Sequence, residues 1–433
     1  MGEIEQRLAE LEHAGLSRRL RLVSGAQGPR VLLDEEPVLL LCSNNYLGLA
    51  DHPQVREAAA RAALDVGAGA GASRLVSGTM TIHAALEQRL ATFEGSEACV
   101  LFGSGYLANL GTIGALAGPG DTIFSDALNH ASIVDGCRAS RAEIVVYRHL
   151  DCEHLEQCLK RDVAGHGAAR DGTHAEWRDP GRRTTDRANG EGRRRLIVTD
   201  SVFSMDGDVA PLAEIVELAR RYDARIMVDE AHATGALGAG GRGAIAAAGL
   251  QDEVDVLVGT LGKALGSYGA YVCASEQMVR YLVNTARPLI FSTAPAPPSV
   301  AAALAALDLL ESDPGMIERL HEAARTLRAA LTSEGFAVQE SDMHIVPLLI
   351  GDPTDATRVC EAALQHGVFA QAIRPPTVPA RTSRLRLAAM ASHTPVQLRD
   401  AAKALAQAVR AAGLDPATIG SHAAGESRFA GVA

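Results

Sequence analysis

Residues 225–235 read RIMVDEAHATG, and residues 254–273 read VDVLVGTLGKALGSYGAYVC. In both, a short run of apolar and β-branched residues stops at polar or glycine-rich sequence. Upstream lie runs of the same kind: ACVLF at 98–102, DTIFS at 121–125, EIVVY at 143–147 and LIVTD at 196–200. Runs this short, with little polar alternation and mostly separated by helix-length stretches, read as strands buried on both faces. They predict an α/β fold: a doubly wound large domain with a mainly parallel sheet between helices. Ligands of such sheets bind beyond the carboxyl ends of the strands, so the polar residues that follow these runs are the first candidates for chemistry.

Past the prolines Pro295, Pro297 and Pro298 the pattern changes. Helical stretches at about 299–310 and 316–334 lead to the strand-like IVPLLI, a helix near 355–366, then VFAQAI, RLRLAA and a last helix to about 412. The expected organisation is an N-terminal arm (1–50), a large domain (51–290), a smaller α+β C-terminal domain (291–415) and a mobile tail (416–433). Residues 164–195, AGHGAARDGTHAEWRDPGRRTTDRANGEGRRR, have no apolar periodicity and read as an exposed, partly disordered insertion. Their arginines could form a partner or nucleic-acid patch, but interleaved acids and glycines favour a solvated loop.

Composition narrows the function classes. The 433 residues carry 41 Lys+Arg against 52 Asp+Glu, a net charge of −11, which disfavours a nucleic-acid partner. With 47% hydrophobic and 21% charged residues, whole-chain disorder and fibrous architectures are excluded. The start, MGEIEQRLAELEHAGL, lacks a basic and apolar leader, and no apolar run approaches the ~18–20 residues of a membrane span, so a cytoplasmic protein with no membrane partner is expected. Seven dispersed cysteines suit reduced thiols rather than a disulfide framework. Cys152, His154 and Cys158 in HLDCEHLEQCLK fit an amphipathic helix better than a metal site, and no metal is assigned.

Four segments carry candidate chemistry. Lys263 follows a strand-like run among Gly259, Gly262, Gly266 and Gly269, which would leave room for a bulky group; desolvation of such a lysine frees its amine as a nucleophile and Schiff-base former. Asp229, at the end of RIMVD, could pair with a protonated ring nitrogen, and His232 could reach an adjacent ring oxygen. SGYLAN at 104–109 opens a helical pattern after ACVLF, where Gly105 and free N–H groups suit a phosphate. His130, after DTIFS, could stack on an aromatic cofactor. Each segment alone also allows a plain reading: a loop lysine, a capping Asp beside a core His, a simple turn, a satisfied loop histidine.

Their shared order and strand-end placement give them joint weight. From about residue 16 to 412 the chain resembles the α-oxoamine synthase family of fold type I pyridoxal-phosphate (PLP) enzymes, which join amino acids to acyl thioesters with loss of CO2. The resemblance rests on CSNNYLGLA, SRLVSGTMTIHAALE, SGYLAN, FSMDGDVAPL, VDEAHATGALG, GTLGKALGSYGA and RPLIFSTA in that order. Residues 372–387, AIRPPTVPARTSRLRL, are most similar to the branch that condenses L-alanine with a pimeloyl thioester in biotin biosynthesis.

The resemblance implies PLP joined to Lys263, with Asp229 at the ring nitrogen, His232 at the ring hydroxyl and His130 stacked on the ring. It implies Gly105, Tyr106 and Thr260 at the phosphate, Ser204 beside the cofactor, and Thr293 reaching across a homodimer with shared active sites. Arg386 would hold the amino-acid carboxylate, Arg18 would meet the acyl substrate, and Arg374 and Thr377 would shape the acyl pocket. The acyl donor would be a coenzyme A or an acyl carrier protein thioester. The competing readings are a sister enzyme of the 2-amino-3-ketobutyrate ligase, 5-aminolevulinate synthase or serine-using sphingoid-base type, or a non-catalytic partner subunit, which would have no need of Lys263. A nucleotide-binding oxidoreductase would need G-x-G-x-x-G after the first strand, whereas VGAGAGASRL follows a helical pattern.

Overall fold

The computed structural model describes residues 2–164 and 193–420. Seven strands form the central sheet: β1 (Ala98–Phe102), β2 (Thr122–Asp126), β3 (Glu143–Tyr147), β4 (Arg195–Asp200), β5 (Ala224–Asp229), β6 (Val256–Thr260) and β7 (Ala270–Ala274). Their order is β1-β7-β6-β5-β4-β2-β3. The pairs from β6 to β3 are parallel, and β7 alone is reversed, antiparallel to both β6 and β1. The carboxyl ends of six strands therefore face one side.

Strand alternation sends neighbouring side chains to opposite cores. Ile197 and Val228 join one apolar core with Phe124 and Tyr271; Val198 and Met227 join the other with Ile123 and Val272. β3 is the exception to two-faced burial: it is the sheet edge, and Ile144 and Val146 are exposed.

In the small domain β8 (Ile345–Gly351), β9 (Ala372–Ile373) and β10 (Ser383–Ala388) form an antiparallel sheet in the order β8-β10-β9. The arm is built into this domain. Its strand Glu36–Leu40 runs parallel to Val368–Phe369, and Leu39 and Leu41 lie in the small-domain core.

Three boundaries differ from the sequence expectation. Helix Pro297–Ser312 packs its Val300, Ala303 and Leu307 into the large-domain core, not the small one. The following helix, Gly315–Ser333, gives Met316 and Leu320 to the large core and Ala324 and Leu327 to the small one, so the division falls inside this helix rather than at 291. An amphipathic helix long enough to span both cores shows no break in its sequence where one core ends. The end of the expected insertion is also ordered: Arg195 starts β4, and Arg194 and Arg195 pair with Asp121 (2.8 Å) and Asp162 (2.7 Å). The tail begins docked, with Ile419 buried and its carbonyl accepting from the Ala337 N–H at 3.0 Å. The rest of the expected insertion and tail, 165–192 and 421–433, lies outside the described residues. No helix among the described residues is long and apolar enough to cross a membrane.

Candidate active site

The four sequence segments converge because each leaves a strand at the same edge. Gly105 starts helix α1 (Gly105–Leu116) after β1, and His130 caps helix α2 (Ala131–Ser140) after β2. Ser204 follows β4, Asp229 ends β5 with His232 just beyond, and Lys263 follows β6 by three residues.

Lys263 Nζ lies 2.7 Å from His232 Nε2. Burial pushes the amine down to about 8, against the opposing pull of Asp229 and Asp200. His232 is buried, and burial followed by the Lys263 and Arg386 charges holds its imidazole well below its usual value. Its other nitrogen, Nδ1, lies 2.6 Å from the Tyr46 hydroxyl. Arg386, on β10, reaches that hydroxyl with one guanidinium nitrogen (3.0 Å), Asn44 Oδ1 with another (2.8 Å) and the Ser204 carbonyl with Nε (2.8 Å). A continuous polar chain thus runs from the small domain to the lysine.

On the other side, Asp229 accepts from Asn109 Nδ2 at 2.7 Å and from the Ala231 N–H at 2.8 Å. Asn109 also donates to Ser132 at 2.9 Å, and its own Oδ1 is buried with no partner. Asp200 pairs in register with Asp229 across β4 and β5 and accepts the His130 N–H at 2.7 Å. Burial and the neighbouring Asp229 push the Asp200 carboxyl well above the usual range. His130 anchors its Nδ1 on Ser132 (2.7 Å) and leaves the residue exposed toward the site.

The residues fit PLP. A buried-side amine with a depressed proton affinity, an accessible imidazole and a steadied carboxylate stand together. At the α1 start the first N–H groups have no acceptor within the helix, and a Cβ at Gly105 would meet nothing within 4 Å. Of the four glycines around Lys263, only Gly262 has room for a Cβ, in ordinary contact with the Ser267 carbonyl (3.5 Å) and Thr260 Oγ1 (3.7 Å). A Cβ at Gly259 would overlap the Tyr271 ring, one at Gly266 the Leu49–Ala50 backbone, and Gly269 has φ +122° beside Leu261. Three of the four therefore serve packing and turning, a correction to reading them as ligand space.

The remaining predicted residues are scattered more widely. Thr260 Oγ1 donates to the Gly269 carbonyl (3.1 Å) and accepts the Gly262 N–H (3.2 Å), shaping the lysine loop. The Tyr106 side chain is exposed and bonded to Asp135. Thr293 is exposed and bridges Ser73. Arg18 is exposed and donates to the Pro375 carbonyl at 2.9 Å. Arg374 is buried and donates to the carbonyls of Gly15 and Ser17 and to Thr357, fastening the arm to the small domain; Thr377 is exposed in the adjoining turn. Sequence reasoning overlooked the individual roles of Asn44, Tyr46, Asn109 and Asp200. The first three lie inside CSNNYLGLA and SGYLAN, motifs whose local sequence does not say which distant groups these side chains meet.

A family model for aminotransferase class I and II matches residues 36–405. The chain is 50% identical to the 8-amino-7-oxononanoate synthase of Geobacter sulfurreducens over 408 residues, 94% of this chain and 96% of that protein. It is 48% identical to the one from Geobacter metallireducens over 404 residues, 93% and 96% of the two chains. The serine palmitoyltransferase of S. paucimobilis, solved with bound PLP and myriocin, superposes with a TM-score of 0.83 at 32% identity, covering 95% of this chain and 97% of that one. An 8-amino-7-oxononanoate synthase structure from Francisella tularensis shares the fold, with a TM-score of 0.69 at 24% identity over 87% of this chain and 99% of that one.

Proposed function

Because the chain belongs to the aminotransferase class I and II family and, within it, groups with the 8-amino-7-oxononanoate synthases, we propose that it condenses L-alanine with a pimeloyl thioester. The products are 8-amino-7-oxononanoate, CO2 and the free thiol, a step of biotin biosynthesis. The chain is a PLP-dependent acyltransferase of fold type I. PLP, when bound, joins an amino group and draws electron density from the adjoining Cα, which makes the Cα proton removable.

The chain's own residues supply the rest. Lys263 holds the cofactor and then, as a free amine, takes the Cα proton; a proton affinity lowered to about 8 suits that exchange near neutral pH. Asp229, fixed by Asn109 and the Ala231 N–H, would face the ring nitrogen and keep it protonated. His232 would hydrogen-bond the ring oxygen, and His130 would cover the ring face. The N–H groups of Gly105 and Tyr106 would hold the phosphate, joined by the Thr260 hydroxyl once it turns from the Gly269 carbonyl, with Ser204 alongside. Arg386 takes the alanine carboxylate until it leaves as CO2. Arg18, Arg374 and Thr377 border the acyl chain, Arg374 by holding the arm in place.

The contact that carries this reading is Lys263 Nζ to His232 Nε2 at 2.7 Å, beside a buried Asp229. A homodimer fits as well: near Thr293, Leu75, Val76 and Phe291 expose apolar side chains that a second copy could cover, bringing Thr293 to the partner's phosphate. The test offers the holoenzyme alanine, glycine or serine with pimeloyl-CoA, the pimeloyl carrier-protein thioester or a short acyl-CoA, and identifies products by mass. Alanine with a pimeloyl donor gives 8-amino-7-oxononanoate, and Lys263→Ala abolishes it. Preference for glycine and a short acyl group would move the chain to a sister activity.

A further inference from the structure

Among the buried groups without a task so far, Tyr46 stands at the centre of the polar chain to Lys263. Tyr46 is fully buried, and its hydroxyl sits where three polar groups meet: His232 Nδ1 at 2.6 Å, Asn44 Oδ1 at 3.0 Å and an Arg386 guanidinium nitrogen at 3.0 Å. A phenol has one proton to give. Arginine can only donate, so the hydroxyl accepts from Arg386 and turns its proton elsewhere. Asn44 Oδ1 can only accept, and its second lone pair takes the phenol proton at 3.0 Å beside the Arg386 N–H at 2.8 Å. The hydroxyl oxygen therefore accepts from Nδ1 at 2.6 Å, which puts the ring proton on Nδ1 and leaves Nε2 as the acceptor facing Lys263 at 2.7 Å.

We propose that Tyr46 is a positioning residue: its hydroxyl, oriented by Arg386 and Asn44, fixes His232 as the tautomer that keeps its proton on Nδ1 and accepts at Nε2, toward the lysine and the cofactor oxygen. The inference rests on the reading that Lys263 is the base and Arg386 the carboxylate holder. Its consequence is a coupling between two sites. The arginine that takes the substrate carboxylate is joined through two hydrogen bonds to the imidazole beside the base. The phenol is also held sterically. The His344 ring packs on the Tyr46 ring with centroids 4.0 Å apart, and Arg328 clamps the backbone on both sides of His344 through the Met343 and Ile345 carbonyls. The charged and titratable groups facing Lys263 are His232, Asp229, Asp200 and Arg386; those facing His232 are Lys263, Arg386, His344 and His130.

The test uses Tyr46→Phe holoenzyme, which keeps the ring and removes the hydroxyl. Three quantities are read: exchange of the alanine Cα proton with D2O by NMR without any acyl donor, the alanine Kd from spectral titration, and the pH profile of the visible absorption. The expected result is a Cα exchange rate at saturating alanine lower by roughly tenfold or more, a fraction of the 10²–10⁴ that a positioned acid or base supplies. The alanine Kd should stay within about threefold, because Arg386 keeps its Asn44 and Ser204 anchors, and the absorption midpoint should move in pH. A parallel rise in Kd and loss of rate, an unmoved pH profile, or unchanged exchange would overturn the assignment. Unfolding temperature and PLP content, compared with wild type, separate these from misfolding. Wild-type enzyme that fails to exchange the alanine proton at all would instead sink the underlying reading.

Discussion

Arg386 and Arg374 stand twelve residues apart in the same small-domain segment, are both buried, and serve different regions. Arg386 spans the domain boundary, with its donors on the Ser204 carbonyl, Asn44 and Tyr46 in the polar chain that ends at Lys263. Arg374 faces the arm, and its donors go to the carbonyls of Gly15 and Ser17 and to Thr357. Two of the three acceptors in the first network are side chains, so a substrate carboxylate can join it by small rearrangements. Two of the three in the second are backbone carbonyls of fixed geometry. That network is a fastening, and chemistry there would first have to undo the fold. Burial of an arginine therefore says little about its role until its acceptors are known.

The sharpest way to break this contrast is Arg386→Ala. Losing a buried, charge-assisted partner costs about 3–5 kcal/mol, so kcat/KM for alanine should fall by roughly 10²–10⁴ (1.36 kcal/mol per tenfold). Steady-state kinetics over a range of alanine concentrations would check it. A loss below tenfold would remove Arg386 from carboxylate binding. Arg374→Ala sharpens the same contrast from the other side. We expect a loss of about 1–3 kcal/mol in denaturant stability, the usual cost of unpaired buried groups, with kcat/KM reduced less than tenfold by a loosened arm. Equal kinetic losses in the two variants would erase the distinction. A third effect belongs to the active-site network alone. Only the neutral lysine can capture PLP, and its proton affinity is lowered to about 8. The rate of covalent PLP loading by apoenzyme should thus rise as pH passes through about 8 and level off above it. A rate still climbing toward pH 10 would place Lys263 in a solvated setting.

Much of the active-site half was readable in the chain. ACVLF, DTIFS, LIVTD, RIMVD and VLVGT are strands, and Gly105, His130, Asp229 and Lys263 stand at their ends, because buried parallel strands are continuous apolar runs and leave their functional groups just beyond. The arm and its fastening were less readable. Residues 16–24 have no sharp periodicity, and nothing in IRPPTVP tells whether Arg374 turns toward a ligand or toward a neighbouring carbonyl. The glycines around Lys263 misled for a related reason: a missing Cβ marks close approach but not by what, and at Gly259 the visitor is Tyr271.

The sequence by itself determined the layered α/β architecture, the family and which residues stand just beyond the strand ends, since these depend on local pattern and residue type. Only the tertiary structure decided that helix Gly315–Ser333 serves two cores, that Arg374 is a fastening, and that Tyr46 stands between Arg386 and His232. Those facts are set by contacts between residues up to 359 positions apart. Close packing fixes such contacts, and no stretch of the chain encodes them alone.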